Sequence, residues 1–122
     1  NCPMTELYTA KDGKDTTSRF LRKYVLKDHV NDETYIKNIS IPYLLDKTDL
    51  SGIMIITSKT DPLLYEEDCR LHKIFVDAGV SHVYKEYVGR EHVLGHVFNV
   101  LDPDWEESQE ACQDMCEYFS KC

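Results

Sequence analysis

The sequence predicts an α/β fold built on a βαβ unit of a parallel sheet with flanking helices, and three stretches carry that prediction. Ile53-Met54-Ile55-Ile56-Thr57 is the most hydrophobic run in the chain. It is apolar on both faces, as strands inside parallel sheets are, and does not alternate like a half-wet antiparallel strand. Over 64–77, Leu64, Leu71, Ile74 and Phe75 fall on one helical face that continues to Ala78. Gly79 then stands where a helix C′ residue belongs. Residues 81–88 alternate and are rich in β-formers. A strand, about four turns of helix and a second strand make a crossover with parallel pairing.

The remaining elements follow in order. Residues 1–14 are polar, with Lys11-Asp12-Gly13-Lys14 as a turn, and are expected to form a turn or a disordered start. Asp15 or Thr16 is expected to cap a helix over 18–27, with Phe20, Leu21, Tyr24 and Val25 as its apolar face. Asn31 or Asp32 is expected to cap a second short helix over 31–38. Residues 39–52 read as a loop, because Pro42 prevents regular pairing and Gly52 ends it. A long loop covers 89–104. The last helix is expected over 105–121, capped by Asp104, with Trp105 as a staple. Its Cys112, Met115, Phe119 and Cys122 form a stripe expected to face the core. Two parallel strands with apolar faces cannot bury themselves, so the unit is expected to be part of a larger sheet or to dock on a partner that supplies the rest.

Bulk properties exclude several functions. The chain has 122 residues, enough for one domain. Its 14 Lys and Arg against 22 Asp and Glu give a net charge of −8. Such a chain repels phosphate backbones and anionic lipid, so nucleic acid and membrane surfaces are not expected as partners. No apolar run approaches the roughly 20 residues of a bilayer span, and the start lacks a signal-peptide core. The chain begins without Met, so an upstream segment is expected. Cys2, Cys69, Cys112, Cys116 and Cys122 are odd in number and loosely spaced, which argues for free thiols in a reducing, cytoplasmic compartment.

The chemistry concentrates at the strand ends. Open α/β sheets place active groups just past the C-terminal ends of their strands. Asp61 lies there, and Pro62 fixes the corner that follows it. The loop after the second strand carries His92 and His96. Parallel neighbours bring both loops to one sheet edge, so Asp61 and one of these histidines are expected to meet. A carboxylate that accepts from Nδ1–H fixes the imidazole tautomer and makes Nε2 the base.

These residues, in this order, resemble a known family. Asp61-Pro62-Leu63, Ala78-Gly79-Val80, Tyr87-Val88-Gly89 and His96-Val97-Phe98 are similar to the C-terminal portion of the α/β-hydrolase fold. The nearest type is the hormone-sensitive-lipase-like carboxylesterases and acetyl esterases. The resemblance is strongest over 49–120 and suggestive over 15–48, where the family carries a helical region over its acyl pocket. It implies that 1–122 is the C-terminal segment of one hydrolase domain. It implies Asp61 as the acid of a Ser-His-Asp triad. His92 keeps the family's short gap after Tyr-x-Gly, whereas His96 keeps the His-x-Phe pattern and is favoured as the base. The family's His-Gly-Phe reads His-Val-Phe here. The Gly-x-Ser-x-Gly nucleophile motif and the His-Gly-Gly oxyanion loop are absent from these residues. The resemblance therefore implies a small-ester hydrolase whose serine lies outside the chain, which alone is inactive. Its partners would be a small ester and the N-terminal remainder of the domain. No metal or organic cofactor is implied.

Blander readings stand beside these. Asp61 also suits a helix cap. His72 and His82 suit surface or satisfied structural positions. Glu66-Glu67-Asp68 reads as a solvated first turn. His92-x3-His96 with Cys112-x3-Cys116 has the spacing of a small zinc-binding module. A non-catalytic hydrolase-like domain is the remaining alternative.

Overall fold

The computed structural model describes residues 7–45 and 50–121. The described residues fall into two compact units, 7–45 and 50–121.

The first unit is helical. Helix α1 spans Leu7–Asp12 and α2 spans Thr16–Leu21. A π-helical turn covers Arg22–Leu26 and a 3₁₀ turn covers Lys27–His29. Helix α3 spans Glu33–Asn38, and a 3₁₀ turn covers Ile41–Tyr43. The expected caps are in place. Asp15 accepts from the Ser18 N–H at 2.8 Å, and Asp32 accepts from the Tyr35 N–H at 2.9 Å.

Two expectations are corrected here. Residues 7–12 form a helix where a turn or disordered start was expected. Leu7 and Ala10 are buried, and the Arg22 guanidinium donates to the Ala10 and Gly13 carbonyls at 2.5 Å each. That satisfies carbonyls which the helix end leaves without intrahelical partners. The apolar face also differs. Leu21 and Leu26 are buried with Leu7, Ala10 and Ile36, while Phe20, Tyr24 and Val25 are exposed. A π turn bonds i to i+5, so it sets Leu26 rather than Val25 under Leu21. Leu26→Ala is expected to lower the unit's unfolding free energy by about 2–5 kcal/mol. Urea denaturation would measure it.

The second unit contains β1 (Ile53–Ser58), α4 (Tyr65–Asp77), β2 (His82–Tyr87), α5 (Phe98–Leu101) and α6 (Glu106–Phe119). The strands pair in parallel, from Ile53 opposite His82 to Ser58 opposite Tyr87. They end side by side, so the loops after them leave from the same edge. Helix α4 closes as the sequence predicts. Gly79 has φ +69°, its N–H donates to the Val76 carbonyl, and the Val80 N–H donates to the Phe75 carbonyl. That pair of bonds is a Schellman motif.

The core beneath the sheet joins Tyr87, Leu94, Phe98 and Ala111, with Ile56 and Trp105 packed against it. Helix α6 turns a different face to this core from the one expected. Glu107, Ser108 and Ala111 are buried, whereas Cys112 and Phe119 are exposed and Met115 is half-buried. Cys122 lies outside the described residues. The polar face goes inward because each group finds a partner. Glu107 accepts from the Arg90 N–H at 2.7 Å, and the Ser108 hydroxyl donates to the Phe98 carbonyl at 3.3 Å. Asp114 accepts from the Tyr87 hydroxyl and from Lys85 Nζ, the latter at 2.9 Å. Burial and that bond together push the Tyr87 hydroxyl well above its ordinary value. Buried polar groups with partners are tolerated, and Ala111 lets the helix approach closely. The residue before α6 is Trp105, which makes no side-chain cap, so Asp104 is not the cap.

Candidate active site

The corner after β1 is built from short-range hydrogen bonds. The Asp61 N–H donates to the Ser58 carbonyl at 3.0 Å. Asp61 Oδ1 accepts from the Leu63 N–H at 2.8 Å and from the Leu64 N–H at 3.2 Å. Pro62 has no N–H to compete in this turn. The cap reading of Asp61 and a reading that uses its second oxygen are thus compatible.

That second oxygen meets His96. The His96 Nδ1–H donates to Asp61 Oδ2 at 3.1 Å. The Asp61 side chain is 8 % exposed and that of His96 29 % exposed. This tautomer puts the basic lone pair on Nε2. His92 is elsewhere: its ring stacks on Trp105, with centroids 4.2 Å apart and 10° between planes. Of the two candidate histidines, the structure brings His96 to Asp61.

Three features hold the His96 loop. Leu94 is fully buried in the core. The Thr60 hydroxyl donates to the Leu94 carbonyl at 2.8 Å, tying the acid loop to the histidine loop. Gly89 lets the chain turn tightly, since a Cβ there would lie 1.9 Å from the His92 carbonyl oxygen. Just after His96, Val97 adopts φ +50°, ψ +36°. That left-handed backbone is strained for a β-branched residue and costs on the order of 1–3 kcal/mol.

Asp68 corrects the reading of a solvated first turn. It is 3 % exposed, and its Oδ1 has no hydrogen-bond partner among the described residues; nor has the Thr57 hydroxyl. The sequence held a signal for this. Asp68 lies four residues after Leu64 and three before Leu71, on the apolar face of α4. Burial pushes its carboxyl above the ordinary value of 3.8; the Thr57 hydroxyl, near it but outside hydrogen-bond geometry, opposes the rise, and the Asp61 charge adds to it. A carboxyl raised on folding contributes stability that is full below the unfolded value and is lost as pH rises through the folded value. Asp68→Asn is therefore expected to flatten a loss of stability that begins above about pH 4. Urea midpoints measured across pH on both proteins would show it.

Outside this edge, His72 and His82 are a satisfied structural pair. The His82 Nδ1–H donates to the Val80 carbonyl at 2.8 Å, and His82 Nε2 accepts from the His72 Nδ1–H at 2.8 Å. The zinc alternative is corrected. Among the described residues, no three His, Cys, Asp or Glu side chains are gathered to hold a metal ion. His96 faces Asp61, His92 stacks on Trp105, and Cys112 and Cys116 are exposed free thiols.

Two solved structures resemble this arrangement over nearly the whole chain. Esterase B from Lactobacillus rhamnosis (HN001) superposes with a TM-score of 0.79 at 24 % identity. The inhibited form of esterase B from that organism superposes with a TM-score of 0.78 at 25 % identity. The fold is that of part of an esterase. Each match covers 98 % of this chain and 38 % of the esterase chain, so these residues span well under half the esterase's length. No family model matches, and no curated protein matches. No described helix of this esterase-like fold is long and apolar enough to cross a membrane.

Proposed function

We propose that this chain is the C-terminal segment of a serine carboxylesterase of the hormone-sensitive-lipase-like type, carrying the acid and base of its triad. The observation that carries the reading is the His96–Asp61 hydrogen bond at the shared C-terminal edge of two parallel strands. The esterase-like fold supports it. In this reading a serine outside the chain attacks a small ester. His96 Nε2 takes the serine proton and returns it to the leaving alcohol. Asp61 holds the imidazole in the required tautomer and stabilises its cation. Backbone N–H groups from the remainder of the domain hold the oxyanion. Among the described residues the sheet has two strands, and its open edges support a partner that supplies further strands, in the same or a separate chain. The reading includes a reducing, cytoplasmic compartment, supported by the odd cysteine count and the free thiols of Cys69, Cys112 and Cys116.

A fluorophosphonate probe tests it. The full-length protein is expected to be labelled on one serine, and His96→Ala to abolish labelling. The 122-residue chain alone is expected to take no label. Labelling that survives His96→Ala would contradict the assignment.

A further inference from the structure

A cavity of about 20 Å³ lies beside Asp61. Thr57, Asp61, Asp68, Gly95, Val97 and Phe98 contribute to its lining. A cavity needs roughly 10–15 Å³ on this measure to hold a water, and the water needs two or more polar partners. This one has room for a single water, and both unpaired buried atoms, Thr57 Oγ1 and Asp68 Oδ1, belong to residues that line it. Asp61 supplies a third partner. An ionised carboxylate offers about four acceptor positions, and the bonds from Leu63, Leu64 and His96 use three.

We propose that Asp68 and Thr57 hold one structural water in this cavity, and that Asp68 through this water positions Asp61 against His96. The proposal rests on reading Asp61 and His96 as the acid–base pair. Burial raises the Asp68 carboxyl above its ordinary value, and the Asp61 charge adds to the rise. Among the described residues, the groups facing Asp68 are Thr57 from β1, Asp61 from the corner before α4 and His96 from the loop after β2. The water accepts from the Thr57 hydroxyl and has one hydrogen for Asp68 Oδ1 and one for Asp61. Held in this way, the Asp61 carboxylate stays fixed against His96.

The test uses the full-length protein and its Asp68→Asn, Asp68→Leu and Thr57→Val variants. The low-field proton resonance of the His96 Nδ1–H is expected to persist in Asp68→Asn. Its exchange with solvent is expected to quicken about tenfold in Asp68→Leu and Thr57→Val, with kcat lowered by a similar factor and KM unchanged. Should Asp68→Leu not fold, Thr57→Val decides the matter. Unchanged exchange in the folded variants overturns the proposal. If the resonance responds as expected but the wild type cleaves no ester, the esterase reading fails while the positioning role stands.

Discussion

Asp61→Asn is expected to cut ester turnover by the full-length protein by about 10⁴-fold. The size follows from the direction in which the amide must point. Asp61 Oδ1 accepts from the Leu63 and Leu64 N–H groups, so an asparagine must keep its carbonyl oxygen there. Its NH₂ group then faces His96. A donor facing Nδ1 forces the ring proton onto Nε2, where the base is needed, and the serine loses its proton acceptor. The fold should survive, because the corner and its hydrogen bonds are kept. Steady-state hydrolysis of p-nitrophenyl acetate is expected to show the loss in kcat rather than KM, with urea midpoints near wild type. Turnover within tenfold of wild type would remove Asp61 from the role assigned to it.

The second large effect is on Leu94, which carries no chemistry. Its side chain is fully buried in the core that joins Tyr87 of β2 to Ala111 of α6, and its carbonyl accepts from Thr60. Leu94→Ala removes three carbons from a packed core and is expected to cost about 2–5 kcal/mol of stability. The same cavity frees the segment that carries His96, and displacing a base by about 1 Å costs on the order of 10²-fold in rate. Turnover and urea stability should therefore fall together. Thr60→Val separates the two contributions. It removes the hydroxyl's bonds to the Leu94 carbonyl and to the Ser58 hydroxyl, worth about 1 kcal/mol each, without opening the core. A Leu94→Ala protein as stable as wild type would mean that the loop is not anchored there.

The strand–helix–strand unit was legible because its signals are local. A doubly apolar strand, a helical stripe ended by glycine and an alternating strand each point one way. Asp61 was legible because Pro62 and the strand end fix its place. The sequence did not decide between His92 and His96, since both lie on one loop. The choice rests on three-dimensional contacts, namely Leu94 in the core, Thr60 bonded to its carbonyl and Trp105 stacked on His92. Helix α6 misled for a related reason. Hydrophobic patterning favours Cys112, Met115 and Phe119, but specific partners for Glu107, Ser108 and Asp114 turn the polar face inward. The Leu21–Leu26 face was missed because a π turn breaks the 3.6-residue period that sequence reading assumes. Val97 explains a departure from the family pattern. The resemblance puts glycine after the histidine, and the backbone of this chain is left-handed there, which glycine adopts freely. Valine occupies it under strain.

The central claim is that Asp61 and His96 act as one unit. A double-mutant cycle on p-nitrophenyl acetate turnover tests it most directly, with Asp61→Asn, His96→Ala, His92→Ala and the pairwise doubles. Residues acting together are strongly non-additive. The Asp61→Asn/His96→Ala double is expected to fall no lower than His96→Ala alone. His92→Ala is expected to lie within a few-fold of wild type and to add independently to Asp61→Asn. Additive losses for Asp61 and His96, or a collapse in His92→Ala with His96→Ala still active, would contradict the account.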